Sequence, residues 1–222
     1  MTSKNGFKPV RKIGVTTRSV SGIVPEIGRY ESSLERDFME ICRFDDSVLK
    51  VIPQPVVIPY LTRSDQIRSY TPDGLLYFKE ELIMNPILFE IKYQDDFKEN
   101  RRLLLPKFRA AKDYANNLGW DFHVITENYI RTTYLENIKF LWPFKNRKPP
   151  DSYVERVLGT MFDLIESDPD MLIHILCKDK TNRAQMIPVI WYMVSNSLIG
   201  CDLDQPLTMN SVLWYRGGYE DD

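Results

Sequence analysis

Asp73 in "YTPDGLLYF", with Glu90 and Lys92 in "ILFEIKYQ", are residue types whose spacing suits phosphate chemistry. Both segments read as strands, and the connection "KEELIMNP" is short enough to make them an antiparallel hairpin. Side chains alternate along a strand, so Ile87, Phe89, Ile91 and Tyr93 face one way and Leu88, Glu90 and Lys92 the other. Taken singly, E-x-K is a salt bridge on a half-exposed sheet and Pro-Asp is a turn. The hairpin, however, brings Asp73 to the face that carries Glu90. Two neighbouring carboxylates repel, and burying them raises at least one pKa. A divalent cation removes that conflict. Asp73, Glu90 and a main-chain carbonyl such as that of Ile91 give hard, oxygen-only ligation suited to magnesium, with manganese as a substitute. Water on such an ion becomes a nucleophile, and Lys92 would orient it or stabilise charge developing on a phosphate.

These residues need elements to position them. "SSLERDFMEICRF" spaces Leu34, Phe38, Ile41 and Cys42 as a helix, with Ser32 or Ser33 as the N-cap. Glu35 on that helix is a candidate third carboxylate, one position from Leu34 and three from Phe38. Glu31, Asp37 and Glu40 are alternatives, with Asp37 and Glu40 further round the helix. "VLKVIPQPVVIPY" is β-branched but broken by prolines, as in an edge or bulged strand. Leu104, Phe108, Ala111, Ala115 and Leu118 predict a helix that begins near Leu105 or kinks at Pro106 and stops at Gly119. "WDFHVIT" is a further strand, so strand, helix and strand predict a right-handed parallel crossover. "ENYIRTTYLENIKFL" continues as one helix, and the proline-containing "WPFKNRKPP" marks a domain boundary. Three short helices and a terminal hairpin come after it, the order of a winged-helix module.

The blocks "GIVPEIGRYESSLERDF", "FDDSVLKVIPQPVVIPY", "YTPDGLLYF", "LFEIKY" and "ITENYIR" resemble, in this order, the TnsA-type endonuclease subunits of heteromeric bacterial transposases, whose catalytic domain is restriction-endonuclease-like. The resemblance spans roughly Ser19 to Phe144. It implies that Glu35, Asp73, Glu90 and Lys92 form the catalytic set, and that two magnesium ions serve hydrolytic nicking at the 5′ ends of a mobile element. It also implies two partners: the DDE transposase TnsB, which processes the 3′ ends, and the ATP-dependent regulator TnsC, met through the C-terminal domain. Some members of that family have Gln where this chain has Glu90. Gly74 replaces a commoner aromatic, which weakens the packing expected after Asp73.

The 222-residue chain has a near-neutral net charge of -2, so any DNA must meet local patches or be delivered by a partner. One patch is the arm before Glu26, with Lys4, Lys8, Arg11, Lys12 and Arg18 and no acidic residue. A second is the run from Lys98 to Lys112, in which Arg101 and Arg102 are candidate contacts to the DNA backbone. The expected organisation is a basic arm at 1–25, a mixed α/β catalytic domain at 26–148 and a winged-helix-like domain at 149–222. Two histidines and three scattered cysteines cannot make a zinc finger, and no phosphate-binding loop indicates ATP hydrolysis. The scattered thiols and the absence of a signal-like N-terminus fit the cytoplasm. Two rival readings are a stand-alone restriction or repair nuclease, which would cut DNA unaided, and a non-catalytic adaptor between transposase and regulator.

Overall fold

The computed structural model describes residues 20–177 and 180–217. Lys12 and Arg18 of the basic arm lie outside the described residues. The chain divides into two compact units, one ending at Arg131 and the other starting at Thr132. That division falls earlier than the expected 148/149 boundary.

In the first unit a small ribbon, β1 (Gly22–Val24) and β2 (Gly28–Tyr30), leads into helix α1 (Ser33–Phe44). Strand β3 (Val48–Pro53) comes next, then the ribbon β4 (Ile58–Leu61) and β5 (Ile67–Tyr70), then β6 (Gly74–Phe78) and β7 (Ile87–Ile91). Helix α2 (Gln94–Asn117), β8 (Asp121–Ile125) and α3 (Glu127–Ile130) complete the unit. The main sheet runs β3-β6-β7-β8. β6 and β7 pair antiparallel, as the short connection requires, and β7 and β8 pair parallel across α2. β3 is the expected edge strand, with an irregularity between Val48 and Lys50.

β7 is no half-exposed strand: Leu88, Phe89, Glu90 and Ile91 are all buried. Leu88 joins Ile52, Tyr70, Leu75 and the α2 residues Phe108, Ala111 and Ala115 in one cluster. Phe89, on the other face, meets Phe38 of α1 edge-on at 4.9 Å between ring centroids. Helices therefore cover both faces of the strand that carries Glu90, and burial of this kind selects apolar residues unless a charge is specifically compensated. Gly74 strengthens the packing rather than weakening it. A Cβ there would lie 2.2 Å from Phe89 Cζ, so glycine is what lets the Phe89 ring cross β6.

Two helix expectations need correction. α2 begins at Gln94, well before Leu105, and Pro106 sits inside it. Its N-cap, Tyr93, makes no side-chain cap bond; instead the Glu127 carboxylate accepts from the Gln94 N–H at 2.8 Å. Asp95 and Asp96 in the first turn add favourable charge at the helix start. The segment after Thr126 forms two helices, because the backbone leaves helical geometry at Arg131, with φ -92 and ψ 66. The Arg131 guanidinium is drawn to α1, where it donates to Asp37 at 3.1 Å and to Ser33 at 2.9 Å.

The second unit holds α4 (Thr133–Lys145), α5 (Asp151–Leu164), β9 (Glu166–Ser167), α6 (Pro169–Leu176), α7 (Lys180–Ser195), β10 (Ile199–Cys201) and β11 (Leu213–Tyr215). The expected terminal hairpin is present as β10 and β11, and β9 pairs on the other side of β11. Asp168 caps α6 by accepting from the Met171 N–H at 2.8 Å, and Pro169 occupies the first turn. Buried Asn137 donates to the carbonyls of Leu203 and Gln205 and accepts from the Leu207 N–H, pinning the loop between β10 and β11. Among the described residues, no helix is long and apolar enough to cross a membrane.

Candidate active site

The β6–β7 register pairs Gly74 with Phe89, and one further step along it sets Asp73 opposite Glu90. Residues directly opposite in an antiparallel pair share a face. Two main-chain ties hold Asp73 there: its carbonyl accepts from the Gln54 N–H at 3.0 Å, and its carboxylate accepts from the Ile91 N–H at 2.7 Å. Burial pushes the Asp73 carboxyl well above its ordinary range, the negative charges of Glu90 and Glu35 push it further, and Lys92 and the Ile91 N–H oppose them. Asp73, Glu90, Lys92 and Glu35 thus share one electrostatic neighbourhood, as the sequence suggested.

Glu90 is 2% exposed and meets donors from three places. The Tyr70 hydroxyl of β5 donates to Oε2 at 2.6 Å. Lys92, just past β7, reaches Oε1 at 3.3 Å, and Lys107 of α2 reaches the same oxygen at 3.2 Å. Burial would lower the Lys92 pKa, but Glu90, Asp73 and Glu35 outweigh it and leave the ammonium raised. Tyr70 and Lys107 were not singled out from the sequence as members of this group. For Lys107 a signal existed: it precedes Phe108 by one residue and Ala111 by four, on the side of α2 that packs on the sheet.

Glu35 comes from the start of α1 and is held locally. Its backbone N–H donates to Ser32 Oγ at 3.1 Å, its Oε1 accepts from that hydroxyl at 2.8 Å, and its Oε2 accepts from the Glu31 N–H at 2.9 Å. Burial raises its pKa, while those hydrogen bonds and the charge of Lys92 pull it down. Asp37 does not lie further round the helix as expected; it is 3% exposed. Its carboxylate is matched by Arg36 at 3.0 Å and Arg131 at 3.1 Å, which suits a structural anchor better than a ligand.

Among the described residues no three His, Cys, Asp or Glu side chains form a ready-made metal cage, since Glu35 and Glu90 are turned to their own donors. The donor set nevertheless fits a hard divalent cation. Carboxylates that share a buried site at a cost to Asp73 are the ligands such an ion prefers, and Ile91 adjoins them. Arg101 and Arg102 are exposed on the N-terminal half of α2 and take no part in this cluster. His123 is exposed on β8.

No curated protein matches the chain. Residues 45–127, which contain Asp73, Glu90, Lys92 and Lys107, match the model of the TnsA-like endonuclease N-terminal domain. Glu35 lies outside the matched segment. The match covers the main sheet from β3 to β8 and the charge cluster on it, so this part of the chain is similar to the TnsA-like endonuclease N-terminal domain.

Proposed function

We propose that the chain is the magnesium-dependent endonuclease subunit of a Tn7-type transposase, nicking the 5′ ends of a mobile element, the non-transferred strands, in cut-and-paste transposition. The observation that carries this reading is the placement of Asp73 opposite Glu90, with Lys92 beside them, inside the segment that matches the TnsA-like domain. Asp73, Glu90 and the Ile91 carbonyl hold the ion, and Glu35 adds a carboxylate from α1. The bound ion would supply a water of lowered pKa and a Lewis acid for the phosphoryl oxygen. Lys92, kept charged by three carboxylates, orients the water and balances negative charge on the phosphate in the transition state. Arg101 and Arg102, with Lys12 and Arg18 of the arm, hold the DNA backbone.

In this reading TnsB cleaves the 3′ ends, and TnsC meets the C-terminal unit, a winged-helix-like module. Asp73→Ala in the assembled complex should reduce 5′-strand nicking by on the order of 100-fold or more, with 3′ cleavage and the circular dichroism spectrum retained. Unchanged nicking would overturn the assignment.

A further inference from the structure

Glu90 carries more compensation than one carboxylate needs. Lys92 already supplies an ammonium, yet Lys107 approaches the same oxygen, so both ammonium groups crowd Oε1 while Tyr70 holds Oε2. The Lys107 ammonium also stands 4.5 Å from the Tyr70 ring centroid and 5.1 Å from that of Phe108, an aromatic seat independent of the carboxylate. Its side chain is 18% exposed, so a path to solvent exists. The carboxylates of Glu35, Asp73 and Glu90 outnumber the ammonium groups of Lys92 and Lys107, and a divalent cation would reverse the balance. The pocket needs Lys107 only while such an ion is absent.

We propose that Lys107 is a displaceable counter-cation: it neutralises Glu90 until a divalent ion takes that place, while Tyr70 fixes the carboxylate from its other oxygen. The inference rests on the metal-dependent reading above. It makes Lys107 a competitor of the ion and a positioning residue for Glu90. Once displaced, the ammonium remains near the site on its aromatic seat, available to a DNA phosphate. An ordinary structural salt bridge would behave differently, since its loss would lower stability whether or not metal is present.

The test uses the full chain, Mn2+ as the probe, calorimetric titration for affinity and thermal melting for stability. Lys107→Met should bind Mn2+ about fivefold or more tightly than wild type, because a like charge has left the ion's side. It should melt lower than wild type without the ion and recover with it. Lys107→Arg, which keeps the charge, should bind as wild type does. Unchanged or weaker binding by Lys107→Met overturns the inference, as does failure of that variant to fold even with Mn2+. If wild type binds and Asp73→Ala does not while Lys107→Met is unchanged, the inference alone falls. If neither wild type nor Lys107→Met binds Mn2+, the metal-dependent reading falls with it.

Discussion

Glu35 and Glu90 act on the same aspartate from opposite kinds of support. Glu35 is held by Ser32 and Glu31, all within a single turn at the start of α1. Glu90 is held by Tyr70 and Lys107, twenty residues before it and seventeen after. The first arrangement is set by local sequence and survives as long as α1 has its N-terminus. The second exists only once β5, β7 and α2 have packed. A carboxylate with local partners costs the fold little to release toward a ligand, whereas one enclosed by distant partners has its position fixed by the whole domain.

Removing each acid or its support would break this contrast at different depths. Glu90→Ala should have the largest effect: nicking by the assembled complex falls on the order of 100-fold or more, and stability falls by roughly 2 kcal/mol. That is below the full cost of an orphaned buried charge, since Lys92 and Lys107 reach solvent. Denaturant unfolding with the activity assay would check both. Ser32→Ala should lower stability by about 1 kcal/mol through the lost cap. If melting shows a larger loss than for Glu90→Ala, the distinction between local and distributed support is wrong.

The smallest effect concerns pH. Asp73 binds its proton more tightly in the folded chain than in the unfolded one, so the stability it contributes is full below its ordinary value of 3.8 and is lost as pH rises through its raised folded value. Asp73→Asn should therefore melt a few degrees above wild type near pH 7 without metal. The gap should narrow steadily in melts at descending pH and reverse when Mn2+ is added, because only the aspartate recruits the ion. A gap that persists at low pH would mean that Asp73 is not strained by its neighbours.

Features governed by period and register were legible in the sequence. Alternation along "ILFEIKY" put Glu90 and Lys92 on one face, and the short hairpin put Asp73 opposite, because pairing by twos leaves no other face for it. The spacing from Ser32 to Glu35 is itself that of a capping box, so a local hold on Glu35 was also legible. The start of α2 was not, because the group that caps it is Glu127, 33 positions downstream of Gln94. Arg131 broke the helix around it for a partner 94 residues away. Tyr70 was hidden for the same reason, since a tyrosine beside a turn has no period that marks it, whereas Lys107 carried a helical-spacing signal to Phe108 and Ala111 inside a basic run. Gly74 was misjudged because its value lies in the Phe89 ring across the ladder.

The reach of Arg131 to Asp37 sets a practical limit on dissecting this molecule. The family match stops at residue 127, but a fragment cut there would take from the buried Asp37 carboxylate in the first helix one of its guanidinium partners, Arg131, leaving Arg36 on the other oxygen. The shortest piece expected to keep the nuclease half in its native shape extends through residue 131.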